Sequence, residues 1–322
     1  MKALLPGIAA AALCTGAIAA FGWATTNTYY LSLGYSILLY VVLASSWNLM
    51  SGFTGYTSFG HVAFFGVGAY TTALLMFDYQ WPWPLAFAMG GVGAVVLALV
   101  TGWPCLRLKG PYFAISMLGI AEVIRIVALT WESVTYGGIG IPMLPVLSVR
   151  GFYFLMGGVA LATVAVAALV ARSKFGLRLL ALREDEVGAE MMGVNTTAYK
   201  LGAFCLSAVI PGIAGGIDAS RVGFIEPIST FNILITIQMI IMTMFGGRAT
   251  VLGPVIGAVV LSVVREVLWA RYPYHYQAVF GFLIVGLILF MPEGVMGMVR
   301  ARLRARRVEA AGGEQQATGA PA

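Results

Sequence analysis

Long uninterrupted runs of apolar residues recur along almost the whole of this sequence. A helix needs about 20 predominantly apolar residues to cross the roughly 30 Å hydrocarbon core of a bilayer. The runs do not show the ten-residue alternation of a membrane barrel, so helices are the structure that satisfies their backbone in lipid. The pattern predicts an all-α integral membrane protein, a polytopic bundle of about ten transmembrane helices. The predicted spans are 4–23, 30–50, 57–77, 83–103, 111–131, 152–171, 200–219, 230–246, 252–270 and 276–292.

Composition excludes a water-soluble fold. Hydrophobic residues make up 60% of the 322 residues and charged residues only 10%, whereas a soluble domain carries roughly 25% charged residues. The 40 glycines indicate helices that pack closely in a membrane. The three cysteines form no CxxC pair, so neither a metal site nor a disulfide framework is implied. The net charge of +6 reflects where the basic residues sit along the chain and gives no reason to expect a nucleic-acid partner.

The distribution of lysine and arginine predicts the orientation, because cytoplasmic loops of membrane proteins are enriched in both. With the N-terminus inside, the external segments carry only Arg150, Arg221 and Arg271, and Arg125 and Arg265 lie within spans. The other fourteen basic residues are then cytoplasmic, and both termini lie inside. They are Lys2, Arg107, Lys109, Arg172, Lys174, Arg178, Arg183, Lys200, Arg248, Arg300, Arg302, Arg304, Arg306 and Arg307.

The sequence predicts different structures for the two ends of the chain. Lys2 followed by an apolar stretch with Ala17-Ile18-Ala19 is also compatible with a cleaved signal peptide, but we expect a retained span because the apolar run continues to Trp23. We divide the chain into a transmembrane domain, 1–299, and a cytoplasmic tail, 300–322. The tail begins with a basic run that should contact membrane lipid, and the rest should be disordered.

The loop 172–199 is the longest and most charged segment between spans. Glu184 or Asp185 can begin a short helix, and Gly193 can end it in the left-handed conformation. Val187 and Met191 form an apolar stripe, and Glu186 and Glu190 form an acidic one. Acids four residues apart repel, so we expect Arg183 or a partner protein to neutralise them. Such a helix suits docking into a groove on another protein, and the alternative is a solvated loop on the membrane surface.

Several segments resemble the LivM-type permeases of branched-chain amino acid ABC importers. The resemblance runs in order over roughly residues 30–300. The matching segments are SWNLMSGFTGYTSFGHVAFFGVGAYTTALL (46–75), GPYFAISMLGIAEVIRIV (110–127), REDEVGAEMMGVNTTAYKLGAFCLSAVIPGIAGGI (183–217), FGGRATVLGPVIGAVVL (245–261) and YQAVFGFLIVGLILFMPEGVMG (276–297).

The resemblance implies a set of partners in a bacterial inner membrane. They are a second, LivH-like permease, two cytoplasmic ABC ATPase subunits that bind ATP and Mg, and a periplasmic substrate-binding protein. The chain itself is then no enzyme and holds no cofactor. None of its four lysines follows a glycine, so it has no Gly-rich phosphate loop of its own.

The resemblance also identifies the loop helix as the coupling helix that contacts an ATPase. It carries a loose form of a Glu-Ala-Ala pattern, in which Val187 stands where the stricter pattern has Glu. Ala249 stands where many relatives have a glycine, so the turn there should differ. The expected coupling residues are Arg183, Glu184, Glu186, Ala189, Glu190, Met191 and Gly193.

Polar and charged residues in or beside the spans are candidates for the translocation pathway. The Gly-rich stretch 51–61 contains Ser58 and His61, and reads either as an interrupted helix at a transport site or as a turn before a helix packed through Gly60, Gly66 and Gly68. Glu122 and Arg125 share one helical face, and they either meet a zwitterionic substrate or form a structural ion pair. Asp218 and Arg221 are expected at a periplasmic rim where the binding protein docks.

Three classes of function fit parts of this sequence. An ABC-importer permease is favoured, with amino acids as substrate and with urea, short amides or small organic acids as alternatives. An ion-coupled secondary transporter would need acids in the middle of the membrane, for which Glu122 is the candidate. An intramembrane enzyme would need a catalytic cluster, but His61 and His275 lie on opposite sides of the membrane.

Overall fold

The computed structural model describes residues 5–25, 27–272, 281–282, 286 and 294–297. Helices dominate these residues, with two strands of two residues each, β1 (Ile141–Pro142) and β2 (Phe224–Ile225). The helices are α1 (Leu5–Ala24), α2 (Thr28–Trp47), α3 (His61–Phe77), α4 (Trp83–Cys105), α5 (Pro111–Thr130), α6 (Glu132–Thr135), α7 (Val149–Arg172), α8 (Lys174–Glu184), α9 (Glu186–Met191), α10 (Thr196–Val222), α11 (Pro227–Thr230), α12 (Ile233–Gly246) and α13 (Leu252–Arg271). A π-helical turn (Asn48–Gly52) continues α2, and a 3-10 turn (Gly137–Ile139) precedes β1.

The prediction of an all-α polytopic membrane protein is confirmed. Seven helical segments among the described residues are long and apolar enough to cross a membrane, and α1 and α3 are shorter apolar helices. Nine of the predicted spans therefore correspond to helices: α1 to α5, α7, α10, α12 and α13. The tenth, 276–292, falls almost entirely outside the described residues, as does the predicted tail, 300–322.

Side-chain caps set where several helices begin. Asn27, Ser148, Asn195 and Asn232 each accept a hydrogen bond from a backbone N–H in the first turn of α2, α7, α10 and α12. These side chains satisfy donors that a helix leaves without an internal partner. The polar residues between apolar runs thus determine the helix boundaries.

The bundle has two ends, which we name by the elements they carry. At the β1–β2 end, Ile141 pairs antiparallel with Ile225, and the Tyr136 hydroxyl donates to Asp78 at 2.6 Å. At the α8–α9 end, the cytoplasmic end in the predicted orientation, the loop after α7 meets the π-helical turn and the start of α10. The predicted spans thus alternate between the two ends.

The centre of the bundle is built on very close helix contacts. A Cβ placed on Gly68 of α3 would lie 2.1 Å from the carbonyl oxygen of Gly212 in α10, so only glycine fits there. Gly60 and Gly66 similarly face Met117 and Phe231 at distances too short for a side chain. These contacts fit the alternative in which the helix packs through Gly60, Gly66 and Gly68. Small residues let the backbones approach, which is how membrane helices gain packing energy in lipid.

Burial divides the spans into central and peripheral ones. In the most apolar stretch of α2, which packs against α7, α10 and α13, 78% of residues are buried within the chain. The corresponding share for α5 is 22%. Helix α2 is therefore a central helix of the bundle, and α5 presents most of its surface outward.

Candidate functional site

The predicted coupling loop forms two helices rather than one. Helix α8 begins after Ser173, whose hydroxyl accepts from Gly176 N at 3.1 Å, and it ends at Glu184. Asp185 then caps α9 by accepting from Val187 N at 3.0 Å. Gly193 ends the segment with φ +80°, as predicted. Helix α8 was not predicted from the sequence, where this stretch was part of the charged loop.

The outward surface of α9 and its C-cap carries three exposed apolar side chains beside the exposed Glu190. Val187 is 54% exposed, and Met191 and Met192 are 83% and 85% exposed. The opposite side carries Ala189, which is buried. Methionines are flexible and polarizable, and they suit a surface that fits into a groove on another protein. We call Val187, Met191 and Met192 the α9 apolar face.

Glu186 does not point away from the bundle as the acidic-stripe hypothesis expected. Its carboxylate accepts from Lys200 Nζ at 2.8 Å and from the Tyr56 hydroxyl at 2.5 Å. Lys200 is buried, lies 4.8 Å from the centre of the Tyr56 ring, and also donates to the Leu106 carbonyl at 3.3 Å. Within the chain, Lys200 of α10 rather than Arg183 therefore supplies the positive charge that faces Glu186.

Protonation at this cluster follows from the same contacts. Burial raises the pKa of Glu186, but the hydrogen bonds from Lys200 and Tyr56 outweigh it, and the pKa is lowered from its ordinary value of 4.5. Burial, followed by the hydrogen bond to Glu186, raises the pKa of the Tyr56 phenol. At neutral pH Glu186 is therefore a carboxylate and Tyr56 a neutral phenol.

The other predicted coupling residues take different positions. Glu190 accepts a hydrogen bond from the Thr196 hydroxyl at the start of α10. Arg183 Nη1 donates to the Gly52 carbonyl at 3.2 Å, so it ties α8 to the π-helical turn. Glu184 is exposed at the end of α8. Both acids of the stripe are thus bonded within the chain, but Glu190 stays exposed beside the apolar residues, as do Glu184 and Asp185.

Further contacts at this end continue from the π-helical turn to the last described helices. The buried Asn48 side chain donates to the Thr250 carbonyl at 2.8 Å and accepts from Ala249 N at 2.9 Å. Ala249 has φ +57°, a left-handed conformation that an L-residue adopts at a cost. Sequence reasoning missed Asn48, Tyr56 and Lys200. A polar residue at the end of an apolar span is a usable signal for each, but it does not identify the partner.

Ser58 and His61, predicted as pathway residues, lie in the core of the chain. Both are buried, and the Ser58 hydroxyl lies 2.9 Å from His61 Nδ1. The Ser58 carbonyl accepts from Trp47 Nε1 at 2.8 Å. The His61 ring packs edge-on against Phe64, with centroids 5.5 Å apart. Neither side chain reaches a free surface in this conformation, so the contacts fit the packing alternative.

The two remaining predicted pairs lie towards the β1–β2 end. Arg125 donates through Nε to Glu122 Oε2 at 3.0 Å on the outer surface of α5. Asp218 lies 3.6 Å from Arg221 Nε, and the Arg221 guanidinium stacks 4.2 Å from the Tyr35 ring centre. Asp218 also lines a small cavity of about 150 Å³. The two residues of each pair are therefore in contact, and their roles in pathway and rim stay predictions.

A larger cavity of about 610 Å³ opens at the β1–β2 end. It lies between the loop after α3 and the segment around β1. Its lining is mainly apolar and aromatic: Met76, Phe77, Gln80, Trp81, Pro82, Trp83, Pro142, Met143, Leu144 and Val146.

These features define a class of protein. The described chain is a polytopic helical membrane protein whose one long loop between spans projects an apolar helix face and anchors it by buried polar contacts to the bundle. That arrangement is compatible with a subunit of a membrane transport system.

Comparison with known proteins gives the family. The model of the family described as branched-chain amino acid transport system, permease component, matches residues 29–292. The chain belongs to this family and is a permease component.

Individual relatives agree with that assignment. The chain is 29% identical to the high-affinity branched-chain amino acid transport system permease protein LivM of Salmonella typhimurium, over 85% of this chain and 72% of the relative. It is 24% identical to LivH of Escherichia coli, over 80% of this chain and 91% of the relative. It is 27% identical over 41% of its length to the autoinducer 2 import system permease LsrC of Yersinia enterocolitica, covering 38% of that protein. No solved structure gives a significant match.

Proposed function

We propose that this chain is one of two membrane subunits of a bacterial ABC importer for branched-chain amino acids. The second is a LivH-like permease, two ATPase subunits bind at the α8–α9 end, and a binding protein delivers substrate at the β1–β2 end. The names of the relatives LivM and LivH support the substrate class. The complex lies in the inner membrane, and the α8–α9 end is cytoplasmic.

The observation that carries the proposal is the α9 apolar face and the way it is held. Val187, Met191 and Met192 project outward. Directly behind them, Glu186 is fixed to Lys200 at the start of α10. A solvated surface loop would gain little from exposing three apolar residues on a firmly anchored helix. A groove on an ATPase would bury them and receive a rigid element to push against.

The anchoring contacts indicate how movement at α9 reaches the bundle. Lys200 lies near the start of α10, and α10 packs closely against α3 and α4 through Gly68 and Gly212. Displacement of α9 therefore moves these three helices together. Arg183 connects the same segment to the π-helical turn that ends α2. In the proposed cycle, ATP binding draws the ATPases together, and the two permeases rock to open the pathway alternately outward and inward.

The charge distribution supports the proposed orientation. Arg107, Lys109, Arg178, Arg183 and Lys200 all belong to the α8–α9 end. Because basic residues are enriched on the cytoplasmic side of membrane proteins, this distribution supports a cytoplasmic α9, accessible to the proposed ATPases. Trp81 and Trp131 belong to the opposite end, where an interfacial aromatic belt is expected.

Binding of the ATPase subunits to α9 variants tests the proposal. The complete complex is purified in detergent, and retention of the ATPases is measured for Met191→Asp. Leu144→Asp is the matched control, because Leu144 is 88% exposed at the opposite end. We expect Met191→Asp to lose the ATPases and Leu144→Asp to retain them. Retention by both, with ATP-driven uptake intact, would contradict the docking role of α9.

A further inference from the structure

Helix α5 presents a stripe of its surface that nothing in the described chain covers. Ile115 is 66% exposed, Leu118 42% and Ile126 46%, and these positions share one side of the helix with Glu122. A Cβ on Gly119, on the same side, would meet no atom within 4 Å. We call Ile115, Leu118, Gly119, Glu122 and Ile126 the α5 stripe.

The stripe carries charge at membrane depth. Glu122 is about 16 Å along the helix axis from Pro111 and about 12 Å from Thr130, at 1.5 Å per residue. The Glu122 side chain is 53% exposed and that of Arg125 29%. An ionised group facing lipid at this depth is costly even when paired. The stripe must therefore border protein or water in the assembled transporter.

Arg265 and Glu266, two other charged residues of the described spans, have partners on other helices. Arg265 lies 4.9 Å from the Tyr40 ring centre and donates to Gln238 at 3.3 Å. Glu266 accepts from the Tyr29 hydroxyl at 2.8 Å. Glu122 and Arg125, in contrast, hydrogen-bond only one another among the described side chains. An exchange of partners by Glu122 and Arg125 would therefore break only the contact between these two side chains.

We propose that the α5 stripe lines the substrate pathway, and that Glu122 and Arg125 bind the ammonium and carboxylate groups of a zwitterionic amino acid during its passage. The inference rests on the proposed importer function and names a substrate contact within it. The Arg125 guanidinium suits a substrate carboxylate because it donates two parallel hydrogen bonds. The Glu122 carboxylate accepts from the substrate ammonium. The exchange replaces one intramolecular pair by two intermolecular ones and adds no net charge.

The apolar residues of the α5 stripe suit the aliphatic side chain of such a substrate. Ile115, Leu118 and Ile126 offer apolar contacts on either side of the pair. The open space at Gly119 leaves room beside Glu122. A zwitterion with an aliphatic side chain matches this combination of one charged pair flanked by apolar surface.

Water accessibility tests the first part of the proposal. In the complete complex, Cys14, Cys105 and Cys205 are replaced by alanine, and single cysteines are introduced at Leu118, Ile126 and, as a control, Val96. Val96 is 55% exposed near the middle of α4. We expect a charged methanethiosulfonate reagent to label Leu118→Cys and Ile126→Cys in reconstituted vesicles, leaving Val96→Cys unlabelled. Equal absence of labelling at all three positions would overturn the assignment.

Transport kinetics test the second part. Arg125→Gln and Glu122→Gln should each lower the maximal rate of leucine uptake by about tenfold or more, because a charged hydrogen bond to substrate is lost. The exchange Glu122→Arg with Arg125→Glu keeps an ion pair but reverses it. We expect it to leave uptake low while ATPase binding is retained. Recovery of wild-type uptake by the exchanged pair would mean that the pair is structural and overturn the proposal.

The two proposals fail in different ways. If the wild-type complex shows no ATP-driven uptake of any amino acid, the importer function itself is wrong. If wild-type uptake is normal but the stripe is unlabelled or the exchanged pair is fully active, only the α5 inference is wrong.

Discussion

Lys200 Nζ, at the start of α10, lies 2.8 Å from Glu186 Oε1 at the start of α9. This contact joins the helix that projects towards a partner to the helix around which α3 and α4 pack. Because Lys200 also contacts Tyr56 and the Leu106 carbonyl, it connects the segment after α2 and the end of α4 to the same point. It is a positioning residue for α9.

Removing the Lys200 ammonium should destabilise this end of the protein. Lys200→Met leaves a partly buried Glu186 carboxylate without its charge partner, which costs about 3 kcal/mol of unfolding free energy. Combining it with Glu186→Leu should recover most of the loss. Denaturant unfolding in detergent measures both. Lys174→Met, at the exposed start of α8, is the control and should change little. Equal stability of Lys200→Met and wild type would show that the contact does not stabilise the folded protein.

The same contact predicts a pH dependence. The pKa of Glu186 is lowered in the folded protein, so its contribution is fully present above the unfolded value, near 4.5, and is lost as pH falls through the lower folded value. We expect the stability difference between wild type and Glu186→Gln to stay constant from neutral pH to about pH 5 and to shrink below about pH 4.5. Thermal unfolding of both proteins across this range measures it. A difference that grew on acidification would contradict the assigned charge states.

Replacing Ala249 with glycine should make the folded protein more stable. Its φ of +57° costs an L-residue about 1 kcal/mol relative to glycine, and the hydrogen bond from its backbone N–H to Asn48 does not involve the side chain. Ala249→Gly should therefore stabilise the protein by up to about 1 kcal/mol. Ala249→Val should destabilise it, since a β-branched residue fits this conformation worse. Unfolding midpoints of the two variants should move in opposite directions, and a shared direction would contradict the described turn.

The glycine contact between α3 and α10 should tolerate no side chain. In Gly68→Ala the new Cβ meets the backbone of Gly212 at 2.1 Å, so the helices must separate, at a cost of about 2 kcal/mol or more. Gly158→Ala in α7 is the matched control, because a Cβ there meets nothing within 4 Å. The control should be neutral or stabilising. Comparable unfolding of the two variants would contradict the close packing.

The membrane fold was largely predictable because the length and composition of apolar runs in the sequence determine the spans. Apolar runs of about 20 residues give the spans directly, and polar residues such as Asn27 and Ser148 mark where helices begin. Gly193 was predictable for a local reason, since a left-handed residue after a helix favours glycine. The close approach of Gly68 to Gly212 was only partly predictable, because a sequence shows small residues but not the helix they face.

The candidate site was less predictable, because its central contacts join residues far apart in sequence. Glu186 and Glu190 were read as a stripe facing a partner, yet Lys200 and Thr196 hold them from within the chain. The spacing of the two acids predicts their relation to each other but not which distant helix supplies a cation. Val187 and Met191, in contrast, are exposed on α9, as the apolar stripe expected.

ATP-driven uptake by the reconstituted complex tests whether this chain is a membrane subunit of an ABC importer. Proteoliposomes containing this chain, a LivH-like permease, the two ATPases and the binding protein are compared with proteoliposomes containing this chain alone, using radiolabelled leucine, isoleucine and valine. We expect uptake only in the complete complex, and only with ATP on the side of the membrane that carries the ATPases. Uptake by the chain alone, driven by an ion gradient, would contradict it and make this protein a secondary transporter.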